Sequence, residues 1–189
     1  MLLSTGTDLF KQYLVKKQKS PETVRGYTMD LNHLERYISN KYNCPTYIED
    51  LTAQDIEDYL EMLHVEKNYA TASINRHLNS IRSICQFAYK QGWVKEDVSK
   101  DIESLKREQK ERTHLEMDEL EELFPAISHP LIQLATRLMA FTGLRVSECV
   151  NLTLDQVDLK KDLIFVVEGK GKKDRTVPIS KALKPYLVE

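Results

Sequence analysis

One face of a helix-forming stretch from about Thr71 to Gln91 gathers Arg76, Asn79, Ser80, Ser83, Gln86 and Lys90 when residues are placed at about 100° per residue. Ile74, Leu78, Ile81, Cys85 and Ala88 fall on the opposite face. Cations, amides and hydroxyls without a carboxylate are the groups that hydrogen-bond phosphates and base edges. An ordinary solvated helix surface is the bland alternative, but such surfaces mix both signs of charge. Here no Asp or Glu occurs between Glu66 and Glu96, while Lys67, Arg76, Arg82, Lys90 and Lys95 do. Phe87 lies toward the polar side, and nothing in the sequence accounts for it. A second concentration of positive charge, Lys170, Lys172, Lys173 and Arg175, is diluted only by Asp174.

These patches stand against an unremarkable background: 189 residues, a net charge of −2 and a pI near 6.2. Global charge therefore argues against a strongly basic nucleic-acid binder, and the local gathering of cations argues for one. A hydrophobic content of 41% supports well-packed cores. No apolar run approaches the roughly 20 residues of a membrane span, and Thr5, Thr7 and Asp8 stand where a signal sequence would be apolar, so a cytoplasmic protein is expected. Cys44, Cys85 and Cys149 lie too far apart in sequence for a paired metal site and are read as reduced and structural. No metal and no cofactor are expected.

The elements that must position the cations read as follows. Thr7 is a plausible cap for a first helix carrying Leu9, Phe10, Tyr13 and Leu14. Ser20-Pro21 starts a second, with Val24, Tyr27, Leu31, Leu34 and Ile38 in steps of three and four. Thr52 with Asp55 resembles a capping box opening a third, and the fourth is the 71–91 helix, stopped by Gly92. The charge-dense stretch from Ile102 to Met117 suits a linker, which places domains at 1–108 and 109–189. Beyond it come a short helix with Leu120, Leu123 and Phe124, and an apolar helix opened by Pro130 and ended by Thr142-Gly143. Arg145 sits just past that terminus, at the start of a further turn of helix with Val146, Cys149, Val150 and Leu152. Leu163 to Val167 and Thr176 to Ile179 read as two strands joined by the basic turn, and Ser180 as the cap of a last helix with Leu183 and Leu187. That last pattern has no stop signal, so the chain reads as a piece of a longer protein.

The string Thr142-Gly-Leu-Arg-Val-Ser-Glu148, followed by Leu152 and Asp155, resembles the first box of the tyrosine recombinases, the phage integrase family. Gly169-Lys-Gly-Lys-Lys-Asp-Arg175, followed by Val177-Pro178, resembles the β-hairpin of that family that carries its lysine. The helical first half is similar to the family's core-binding domain. The resemblance implies a mainly α protein with a small β-hairpin or sheet: a helical, SAM-like core-binding domain followed by a truncated α+β catalytic domain. It implies that Arg145 grips the scissile phosphate, which suits a planar, always-charged guanidinium. It implies that Glu148 orients Arg145 or helps hold the fold, and that Lys170 protonates the departing 5′ oxygen. Arg76, Asn79, Ser83, Lys90, Lys172, Lys173 and Arg175 are then the expected DNA contacts.

The family's His-x-x-Arg motif, its further His or Trp and its tyrosine nucleophile have no counterpart here. All five histidines precede Arg145, and Tyr186 resembles an apolar helix position rather than a nucleophile. The expected activity is site-specific DNA recombination of the integrase type in the parent protein, with these residues alone inactive. Double-stranded DNA and further copies on DNA, a tetramer in the intact family, are the expected partners, and no membrane is. A recombinase-like DNA-binding regulator without catalysis is the alternative reading, and a helical protein-interaction module a more distant one.

Overall fold

The computed structural model describes residues 1–106, 114–169 and 173–188. The chain divides into two compact units, Met1–Lys110 and Glu111–Glu189. The boundary expected near residue 109 falls outside the described residues. Among the described residues no helix is long and apolar enough to cross a membrane.

Among the described residues the first unit holds four α-helices: α1 (Leu3–Lys16), α2 (Pro21–Tyr42), α3 (Ala53–Val65) and α4 (Thr71–Lys90). Ser20 Oγ accepts the Thr23 N–H at 3.2 Å, with Pro21 in the first turn of α2, and left-handed Asn43 (φ 51°) ends that helix. Thr52 and Asp55 close a reciprocal box: Asp55 N–H donates to Thr52 Oγ1 at 3.1 Å and Thr52 N–H to Asp55 Oδ2 at 3.3 Å. The start of α1 corrects the sequence reading. The helix begins at Leu3 and Thr7 is buried inside it, because pairing with a distant segment replaces the side-chain cap. Leu3 N–H donates to Thr46 O and Ile48 N–H to Met1 O, both at 2.9 Å.

The apolar stripes of all four helices meet in one core, which includes Phe10, Leu31, Leu34, Ile56, Tyr59, Ile74, Leu78, Ile81 and Ala88. Phe87 belongs to it. Its ring lies 4.8 Å from Tyr13, 5.4 Å from Phe10 and 5.1 Å, edge-on, from Trp93. A second helix, α1, packs on that side of α4, which periodicity within α4 could not reveal.

The second unit contains α5 (Met117–Ala126), α6 (Pro130–Thr142) and α7 (Val146–Val150), then a sheet of β1 (Val157–Asp158), β2 (Leu163–Gly169) and β3 (Lys173–Pro178). The sheet is antiparallel in the order β1-β2-β3, with Ile164 opposite Val177 and Val166 opposite Arg175. Ile164 and Val166 point into a core with Leu138, Leu144, Ile179 and Leu183, while Phe165 and Val167 face outward, as strand alternation requires. One expectation is completed and one corrected. A two-residue strand, β1, precedes the hairpin, too short to leave an alternation signal. The expected last helix is a single 3-10 turn, Lys184–Leu187; Ser180 Oγ does accept the Leu183 N–H at 3.2 Å, but Pro185, lacking an N–H, sits where an α-helix would need a donor.

Candidate functional site

In the second unit one carboxylate gathers two arginines. Gly143, at φ 66°, ends α6 in the left-handed conformation that glycine adopts without strain, and its N–H donates to Met139 O at 3.0 Å. Two residues later Arg145 has extended backbone at the entrance to α7. Its own N–H donates to Glu148 Oε2 and its Nη1 to Glu148 Oε1, each at 2.8 Å. From β3, Arg175 donates Nη1 to Oε1 at 2.8 Å and Nη2 to Oε2 at 2.7 Å, a two-pronged pair. The Glu148 side chain is only 7% accessible, against 53% for Arg145 and 35% for Arg175.

The Arg175 hydrogen bonds, and after them the Arg145 N–H, hold the Glu148 carboxyl far below the usual carboxylate range, and Glu148 in turn raises Arg175. One negative and two positive charges leave the cluster net cationic. Arg145 is thereby fixed at its base and half open to solvent, an arrangement suited to an anionic oxygen. Arg175, grouped by sequence with the cations of the hairpin tip, has its terminal nitrogens engaged on Glu148. The sequence held a signal for this: with a period of two along β3, Arg175 shares its side of the strand with half-buried Val177, while Asp174 and Thr176 are exposed. Lys170 and Lys172 lie outside the described residues, as does the side chain of Lys173. The Arg137 guanidinium lies over the Tyr186 ring, 4.0 Å from its centroid, and over the Phe124 ring at 4.2 Å.

In the first unit α4 presents Ala72, Arg76, Asn79, Gln86 and Lys90 to solvent, with Ser83 partly exposed among them. The spacing of four, three, four, three and four makes one stripe along the helix, and it carries no acid. Ser80, expected on this face, is instead fully buried, and its hydroxyl donates to Asp30 Oδ2 at 2.8 Å. Arg76 Nη1 donates to both oxygens of the same carboxylate. His77, between them in sequence, is buried with Nδ1 3.0 Å from the Tyr59 hydroxyl, and burial pulls its pKa down. Ser83 Oγ donates back to Asn79 O. Arg82 is half-buried, bonding Ile102 O and, at 3.1 Å, Ser104 Oγ, and it lines the groove beside the stripe. Beside the stripe runs a polar groove of about 380 Å³ whose walls include Tyr27, Asn79, Ser83, Gln86 and Lys100. Its one carboxylate, Asp97, accepts both the N–H and the hydroxyl of Ser99 through Oδ1.

Comparison with known proteins gives a consistent picture for both units. Residues 7–92 match the family model described as the phage integrase N-terminal SAM-like domain, and residues 113–189 match that of the phage integrase family. The chain is 35% identical to tyrosine recombinase XerC of Halalkalibacterium halodurans, over 90% of its own length and 57% of the relative's. It is 30% identical to tyrosine recombinase XerD of Oceanobacillus iheyensis, over 95% and 61%. The chain thus spans about three fifths of the curated relatives that it matches. Its fold is similar to that of a lambda integrase dimer bound to a COC′ core site, with a TM-score of 0.81 at 18% identity, covering 100% of this chain and 68% of the other. It is also similar to the Tn1549 transposon integrase in complex with circular intermediate DNA, with a TM-score of 0.72 at 17% identity over 98% and 63%.

Proposed function

Because the chain belongs to the phage integrase family of tyrosine recombinases, we propose that it belongs to a site-specific recombinase, grips duplex DNA along the α4 stripe and presents Arg145 to a backbone phosphate. The observation that carries this reading is the Glu148 cluster: a half-exposed guanidinium held at a fixed place by a nearly buried carboxylate, itself anchored by Arg175 from the hairpin. Arg145 donates to the non-bridging oxygens and stabilises the charge that grows on the phosphate as it is attacked. Glu148 is its positioning residue. Lys170 protonates the departing 5′ oxygen, and Lys172 and Lys173 hold the backbone beside it. Asn79, Ser83 and Lys90 contact the duplex, and Arg76 lies among them.

The nucleophile is a tyrosine that these 189 residues do not supply. Tyr186 is occupied in packing against Arg137, and no His-x-x-Arg follows the hairpin. The chain by itself therefore forms no covalent adduct with DNA. The intact protein acts in the cytoplasm on paired sites, as several copies bound to DNA.

The test is duplex binding by the purified chain as salt is raised, combined with cleavage by the intact protein carrying Arg145→Ala. The expected result is an affinity that falls linearly on logarithmic axes, by roughly 0.9 per neutralised phosphate, together with loss of cleavage. No binding at low salt would point to a protein-interaction module. Salt-sensitive binding by an intact protein that never cleaves would point to a regulator.

A further inference from the structure

Arg76 differs from the other cation of the stripe, Lys90, in having a partner beneath it. Its Nη1 lies 2.6 and 2.7 Å from the two oxygens of Asp30, whose side chain on α2 is 2% accessible, while the arginine itself is 51% accessible. Two other side chains fix this arrangement. Ser80, one turn along α4, donates to the same carboxylate at 2.8 Å, and His77 Nε2 stands 3.5 Å from Asp30 Oδ1. Gly26, one turn before Asp30 on α2, borders the guanidinium, and a Cβ there would lie in ordinary contact, 3.9 Å from Nη1.

A carboxylate at this distance offsets most of the net charge that a phosphate would feel, so Arg76 is poorly suited to be an electrostatic tether. It is well suited to another task. The Nη2 of Arg76 stands 3.5 Å from the buried His77 Nε2, so the guanidinium is held through both terminal nitrogens, and Nε with the second N–H of Nη2 is the edge left as a fork for a ligand. Reading a guanine in the major groove needs such a fork, with two donors aimed at O6 and N7. Holding the fork in advance removes ordering that an unsupported arginine would undergo only on binding.

We propose that Arg76 is a specificity-determining residue that reads a guanine edge in the major groove, and that Asp30 is its positioning residue. This rests on the duplex-binding reading above. The experiment is selection of preferred duplexes from a randomised pool by the 189-residue chain, followed by titration of duplexes that differ at single base pairs. The wild type is expected to favour G·C at one position by about fivefold or more, the range of a bidentate contact. Arg76→Lys keeps the charge and can still pair with Asp30, but has no fork. It is expected to lose the preference at that position while leaving the salt slope unchanged. Asp30→Asn is expected to lose the same preference while steepening the salt slope, because Arg76 then keeps its full charge toward phosphate, and circular dichroism shows whether it is folded; Arg76→Lys decides the matter if it is not. Base preferences identical in wild type and Arg76→Lys overturn the proposal and leave duplex binding standing. A chain that binds no duplex at low salt overturns the reading beneath it.

Discussion

The two units handle apolar surface differently. In the first, four helices turn their stripes toward one another, and the core takes in α1, α2, α3, α4 and Ile102 beyond them. In the second, the described core is built on Leu138, Leu144, Ile164, Val166, Ile179 and Leu183, while Val146, Val150 and Leu154 stand 65, 72 and 93% exposed, and Leu131 and Ile132 69 and 56%. Polar groups follow the opposite division. The first unit buries its main network, Asp30, His77, Ser80 and Tyr59, whereas the second keeps two arginines partly open around Glu148. A unit organised around packing thus presents a rigid polar face, and a unit organised around charge presents guanidinium groups partly open to solvent.

The largest effect expected from breaking this contrast is in the first unit. Phe87→Ala removes the ring shared by Phe10, Tyr13 and Trp93 and should destabilise that unit by about 3–5 kcal/mol in urea unfolding followed by tryptophan fluorescence. A small loss would show that α1 is not tied to α4 through this ring. Next, Arg145→Ala in the intact recombinase should slow cleavage by roughly 100- to 1000-fold in a strand-cleavage assay, with folding unchanged. Near-wild-type cleavage would place the phosphate elsewhere.

Glu148 gives a pH test confined to the second unit. Its folded pKa lies below its ordinary value near 4.5, so its contribution is complete above that value and is lost as pH falls toward the folded one. The stability gap between wild type and Glu148→Gln, measured by amide exchange of β3, should therefore be full at pH 6 and narrow progressively below about pH 4.5. A gap that widens with acid would refute the ion cluster. Lys90→Ala should weaken duplex binding by about 1 kcal/mol and lower the salt slope by about one phosphate in anisotropy titrations. The smallest effect belongs to Tyr186→Phe, which keeps the ring on Arg137 and should shift the melting free energy by less than about 0.5 kcal/mol.

Much of this was legible before any coordinates. Ser20-Pro21, Thr52 with Asp55, and Thr142-Gly143 mark helix ends through groups within three or four residues of one another, and the structure places the ends there. The stripe of Arg76, Asn79, Ser83, Gln86 and Lys90 follows from helical spacing alone. Thr7 misled because a backbone pairing with residues 46–48 starts α1 earlier, and no local rule can anticipate a partner some forty residues away. Arg82 likewise looked like part of the cationic surface, yet bonds the segment at 102–104.

By itself the sequence determined what is local: the periods of the helices, their caps, the alternation of β2, and the two boxes that mark the family. Only the tertiary structure decided which charges are available. Asp30 reaches Arg76 from another helix, and Glu148 reaches Arg175 across 27 residues of chain and ties it to Arg145. A cation's chemical role depends on the nearest opposite charge, and that distance is set by packing between elements rather than by spacing along one.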